Sequence, residues 1–147
     1  MRLPYRLASE MLPAMQTPHR NLCLAATLLC LTGCDAWYYR SIDVAAADSA
    51  TFTVDSPSTE QLLSTLREYA ADQRLTCAEA HELPIKCAGI PVRVSAVATP
   101  GGAVVCYHAM GAQFERARFE KRMDLLQERL TARFGPARVS SRRESCE

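Results

Sequence analysis

The sequence predicts an α+β domain: a small antiparallel sheet with two helices packed on one face. Three observations lead there. Two stretches repeat their apolar residues at helical spacing, Leu62, Leu66 and Tyr69 in one, Phe119, Met123, Leu126, Leu130 and Phe134 in the other. Between them the period falls to two, in Val92–Ala98 and Ala103–His108, on either side of Pro100-Gly101-Gly102. Spacing near 3.6 marks a helix with one buried face and alternation marks a half-buried strand. Strands grouped between two helices fit an α+β chain better than an alternating α/β one.

The elements follow in chain order. A short strand is expected at Ala50–Val54. Ser56-Pro57-Ser58-Thr59-Glu60-Gln61 then opens a helix, with Ser58 as the N-cap and Gln61 completing a capping box. Leu62, Leu66, Tyr69, Ala70 and Gln73 lie along one face, with Leu63 beside it. Further strands are expected at Leu75–Ala80 and Ile85–Ala88, followed by the hairpin, whose Pro-Gly-Gly supplies the turn chemistry. The second helix runs from about Ala112 to Phe134 and stops at Gly135-Pro136, a C-terminal glycine followed by a breaker. Ala137–Ser141 is a last strand. This order admits a ferredoxin-like arrangement.

The N-terminal third has a different character. Residues 1–20 carry Arg2, Arg6, His19 and Arg20 against the single acid Glu10. An apolar run from Leu22 to Leu31 follows, about half of the roughly 20 residues that a membrane-spanning helix needs. It ends in Leu31-Thr32-Gly33-Cys34. A basic segment, a short apolar segment and small residues describe an export signal rather than a fold element.

Leu31-Thr32-Gly33-Cys34 resembles the lipobox of bacterial lipoproteins. The resemblance implies cleavage between Gly33 and Cys34, a covalent diacylglycerol on the Cys34 thiol and an N-acyl chain on the new amino terminus, with no other cofactor. It divides the chain into a signal peptide over 1–33, a lipidated N-terminus and short tether over 34–49, and a single domain over 50–147. Met15 is an alternative start that would shorten the signal to the length usual for this class. Asp35 resembles the residue that retains such proteins in the inner rather than the outer membrane. The implied location is the cell envelope, facing the periplasm.

Seven cysteines are an awkward number for an exported protein. Cys23 and Cys30 would leave with the signal and Cys34 would take lipid. Cys77, Cys87, Cys106 and Cys146 remain, an even set suited to two disulfides in an oxidising compartment. Four cysteines allow three pairings. The favoured one is Cys77–Cys87, closing a short loop, with Cys106–Cys146 tying the tail to a hairpin strand. Chain-entropy estimates give about 3 and about 4 kcal/mol for these loops. The other use of four cysteines, a zinc site, lacks any Cys-x-x-Cys pair.

Catalytic signals are sparse. His81 and His108 follow the signal region, and either could support acid–base chemistry in a small cell-wall hydrolase. No nucleophile elbow or His-Glu-x-x-His helix accompanies them. Pro100-Gly101-Gly102 lacks the Gly-Lys-Ser/Thr ending of a phosphate loop.

Charge is polarised. Asp35 to Glu82 holds nine acids and three bases, whereas Lys86 to Glu147 holds eleven bases and six acids. At about 100° per residue, Arg118, Arg122, Arg129 and Arg133 fall in one arc of the second helix, with Glu120, Asp124 and Glu128 opposite. These arginines either lay their stems over the core edge and pair with the acidic half, or receive an acidic partner. Trp37-Tyr38-Tyr39 either sits at the membrane interface or begins a strand, Trp37 to Val44. The sequence therefore points to a non-enzymatic, membrane-tethered binding or envelope-assembly protein that partners the membrane and another envelope protein rather than nucleic acid. The alternatives are an immunity or inhibitor lipoprotein against an envelope toxin, and the hydrolase.

Overall fold

A computed structural model describes residues 35–47, 52, 53, 56–144 and 146. The expected signal peptide and Cys34 lie outside the described residues. The elements are β1 (Asp35–Ala45), α1 (Pro57–Asp72), β2 (Thr76–Cys77), β3 (Ile85–Gly89), β4 (Val92–Thr99), β5 (Gly102–Ala112), α2 (Arg116–Phe134) and β6 (Val139–Arg142). Single 3-10 turns at Gln113–Glu115 and Pro136–Arg138 bracket α2. The strands form one sheet in the order β2-β3-β4-β5-β1-β6, each neighbouring pair antiparallel. The expected α+β class is what the chain adopts.

The first strand stands where a tether was expected over 34–49, and takes the alternative reading of a strand from Trp37 to Val44. Residues 35–45 are a central strand, paired over their whole length with β5, from Asp35 opposite Ala112 to Ala45 opposite Gly102. The reason lies in the alternation of Tyr38, Ile42 and Val44, whose side chains turn to the core while Trp37 and Tyr39 turn away. Of the strand expected at Ala50–Val54, Phe52 and Thr53 are described and belong to no strand. Phe52 is nevertheless buried, its ring 6.1 Å from that of Phe134.

Other boundaries shift for local reasons. The cap of α1 is Ser56, not Ser58: its hydroxyl accepts from the Thr59 amide at 3.2 Å, and Pro57 occupies the first helical turn. Proline is suited there because its missing N–H would have no partner in any case. Only Thr76 and Cys77 of the expected Leu75–Ala80 strand pair with β3. In contrast β5 runs four residues past His108, because Ala109 to Ala112 have the start of β1 to pair with. The second helix consequently begins at Arg116, and the last strand is shifted to Val139–Arg142.

Both helices cover one face of the sheet. Ile42, Val44, Ile85, Val92, Val94, Ala96, Ala103, Val105, Tyr107 and Ala109 point to that face, and meet Leu62, Leu63, Leu66 and Tyr69 of α1 and the entire expected stripe of α2. The second helix packs closely at Gly111, where a Cβ would lie 2.7 Å from the Phe119 ring. Gly102 answers a similar demand, since a Cβ there would fall 2.1 Å from the Val44 carbonyl oxygen. Both disulfides form as favoured, Cys77–Cys87 on the helix-covered face and Cys106–Cys146 on the other.

Two expectations test this core. Phe119 is fully buried, its ring 5.1 Å from that of Tyr38 and tilted by 34°. Phe119→Ala should cost about 3–5 kcal/mol, measured by urea unfolding with the disulfides intact; a loss below about 1 kcal/mol would place the core elsewhere. Tyr69 and Tyr107 are also fully buried. Burial holds the Tyr69 hydroxyl well above the ordinary phenol range and pushes Tyr107 up to about 12, while the Arg122 charge pulls both down. The unfolded chain releases these protons near pH 10.0 and the folded chain holds them to higher pH. The folded state therefore binds more protons between those values, and stability falls as pH rises through the window. The urea midpoint should drop from pH 10 to pH 12, and Tyr107→Phe should lessen the drop; a flat profile would contradict the burial of these hydroxyls.

Candidate functional site

A groove opens at one side of the sheet, beside the start of β1. It arises from a mismatch of strand lengths. β1 is eleven residues long, but β6 pairs only with Ser41–Val44. Among the described residues, the stretch from Ala36 to Arg40 therefore has β5 on one side and no strand on the other. Along any strand alternate residues direct their N–H and C=O groups to opposite edges, so half of these backbone groups face the opening.

The groove, of about 560 Å3, lies between this strand edge and the first half of α2. Arg116, Glu120 and Met123 form the helix wall, with Gln113 at one end and Arg143 at the other. Arg116 Nε donates to Glu120 at 2.9 Å, which fixes the wall. Beneath it Arg40 sits on the helix-covered face, almost wholly buried, where it pairs with Asp124 and donates to Gln127 at 3.4 Å. A buried guanidinium needs such partners, because an uncompensated charge inside the protein is very costly. Tyr38 braces the same corner by donating from its hydroxyl to the Ala112 carbonyl at 3.1 Å.

The Cys106–Cys146 bond explains why the edge stays open. Extending the β6 register would set Arg143 opposite Arg40 and Glu144 opposite Tyr39. The chain instead leaves β6 after Arg142 and reaches Cys106, which pairs with Ser41 from the far side of β1. To get there the tail must cross the sheet face that bears no helix. Ser41 is buried on that face, and its hydroxyl has no partner among the described residues.

The other expected site residues do not gather at this groove. Arg118 is paired with Glu115 at 3.2 Å and Arg129 with Asp72 of α1. The Arg122 carbonyl accepts from the Tyr69 hydroxyl at 3.0 Å, and Arg133 is exposed near Glu68 and Thr65. Two of the four guanidinium groups thus pair within the domain, one across to the acidic first helix. His81 is exposed in the loop between β2 and β3. His108 lies against Tyr39, edge to face at 5.1 Å, with its Nε2 buried and unpartnered among the described residues. The two histidines stand on separate elements. No cluster of three metal-ligating side chains and no apolar helix long enough to cross a membrane occurs among the described residues.

Sequence reasoning missed Arg40 and the open edge. Arg40 is in phase with Tyr38, Ile42 and Val44, so a charged residue on an otherwise apolar strand face was the available signal. The edge depends on which strands become neighbours, which local periodicity does not carry. Comparison with family models, with curated proteins and with solved structures finds no match to this chain.

The tail bond has a measurable cost. Replacing Cys106 and Cys146 together by alanine opens a loop with a sequence separation of 40. Denaturant unfolding should show a loss of about 4 kcal/mol. A loss under about 1 kcal/mol would mean that other contacts hold the tail.

Proposed function

We propose that this protein is a membrane-anchored lipoprotein of the bacterial envelope, acting without enzymatic chemistry as a binding or assembly accessory. It receives an extended segment of another envelope protein by strand addition at β1. The observation that carries this reading is the half-paired edge from Ala36 to Arg40 facing a groove of about 560 Å3. An unpaired strand edge is a template for another chain. In strand addition the backbone bonds supply affinity, while pockets for alternate side chains supply selectivity.

The groove is a better contact than the arginine arc, because Arg118 and Arg129 already have partners inside the domain. The lipid on Cys34 supplies the anchor in this reading, and the domain faces the periplasm, with inner membrane preferred over outer. The strand order β6-β1-β5-β4, with α1 between β1 and the β4 side and α2 between β5 and β6, supports a ferredoxin-like core widened by β2 and β3.

Photocrosslinking in intact cells separates the two contact surfaces. A photoreactive residue at Gln113 or Arg116 should give one discrete adduct, and one at Arg133 should give none. An adduct from Arg133 alone would move contact to the arginine arc and exclude the groove. The anchor has its own check. Cys34→Ala should abolish palmitate labelling and release the protein from the membrane fraction; persistent labelling would refute lipidation at that residue.

A further inference from the structure

The domain exposes six large apolar side chains among the described residues: Trp37, Tyr39, Ile90, Val97, Met110 and Phe114. All but Val97 lie at one end of the sheet. Trp37 is opposite Met110, and their shared face continues to Tyr39, whose ring stacks 6.1 Å from the Trp37 ring. Ile90 occupies the β3–β4 turn, beside Pro91, whose carbonyl accepts from the Met110 amide at 3.2 Å. Phe114 follows Ala112 by two residues, and Ala112 is opposite Asp35. Three separate stretches of sequence thus bring apolar groups to the end where β1 begins.

Their exposure is extreme at the protruding positions: Ile90 is fully solvent-exposed and Phe114 is 84 % exposed. Isolated exposed apolar residues are ordinary, but a group gathered at one end marks an interaction site. Trp37 and Tyr39 also line the groove beside β1, whereas Ile90, Met110 and Phe114, on a turn, a strand end and a 3-10 turn, lie outside it. Trp and Tyr are the side chains enriched where a bilayer meets water.

We infer that this end of the domain rests in the bilayer interface, with Trp37, Tyr39, Ile90, Met110 and Phe114 as the contact. The inference rests on the anchor reading given above. Its occupant is a lipid surface because Cys34 immediately precedes β1. Trp37 is three residues after Cys34, and at a fully extended rise of about 3.4 Å per residue that separation is at most roughly 10 Å. No flexible spacer intervenes, since Asp35 is already paired with β5. Acyl chains on Cys34 bring this end, and no other, to the membrane. The groove along β1 then opens sideways at the membrane surface.

Trp37 is the only tryptophan in the chain, so its fluorescence reports this end alone. The full protein, extracted from membranes in detergent, would be reconstituted into phosphatidylcholine vesicles carrying bromine on the acyl chains near the headgroup. Palmitate labelling would be scored on the same sample. Labelled protein should show Trp37 emission shifted to the blue and quenched about twofold by the brominated lipid. Ile90→Glu with Phe114→Glu should restore most of the emission while leaving the label in place. Labelled protein whose Trp37 stays unquenched and open to acrylamide overturns the inference and spares the anchor. Trp37 shielded in native membranes but unquenched in pure vesicles points to a protein covering this end, and also overturns it. Quenching unchanged by the double substitution shows proximity through the tether alone, and overturns the inference as well. Absence of label removes the anchor and the inference together.

Discussion

The antiparallel pairing of β1 with β5 over eleven residues is the constraint from which the rest of the molecule follows. It places Tyr38, Arg40, Ile42 and Val44 on the face that both helices cover, and Trp37, Tyr39, Ser41 and Asp43 on the other. It also sets the direction of the domain. The strand end that follows Cys34 is the end where β5 hands over to α2 and where β3 turns into β4. An aromatic cluster, two turns and the point of chain entry coincide there because one register brings them together.

The second constraint is a covalent bond acting against strand pairing. β6 is in register to run on along β1, and backbone pairing would favour its doing so, since each unpaired edge group gives up a hydrogen bond. The Cys106–Cys146 bond draws the tail across the bare face instead. The open half-edge is therefore a consequence of where two cysteines lie. Proteins usually protect such edges with lysine, proline or a bulge. Here α2 forms a wall beside the edge, with the Arg116–Glu120 pair at its rim and the Arg40–Asp124 pair at its base. That shelters the edge from unselective pairing while leaving a groove of about 560 Å3 beside it.

Local signals made much of this fold legible. The helix stripes were readable because all five apolar positions of α2 are buried, and the hairpin because Pro-Gly-Gly forces a turn between two alternating runs. The disulfide pairing was legible from the short loop between Cys77 and Cys87 and from a hairpin strand to which Cys146 could tie the tail. What failed was whatever depends on neighbours distant in sequence. Residues 35–45 read either as a tether with an aromatic start or as a strand from Trp37 to Val44, and the choice stayed open because Arg40 interrupts the apolar face and its partner Asp124 lies far along the chain. The β5 extension to Ala112 was hidden because Met110-Gly111-Ala112 is weak as a strand by itself and gains its order from β1. The arginine arc on α2 was visible, yet whether such an arc binds outward or braces inward depends on where Asp72 and Glu115 come to rest.

In the proposed function the first strand holds the domain close to a membrane, and an extended segment adds beside that strand. Everything proposed for the slot depends on a division within β1: among the described residues, Ala36 to Arg40 has one open edge, while Ser41 to Val44 has none. Residue-resolved amide hydrogen exchange on the native, disulfide-bonded chain tests this division. Alternating fast and protected amides are expected from Ala36 to Arg40, and protection at every amide from Ser41 to Val44. Uniform protection reaching back to Ala36 would show that the edge is already paired, and would contradict an open slot.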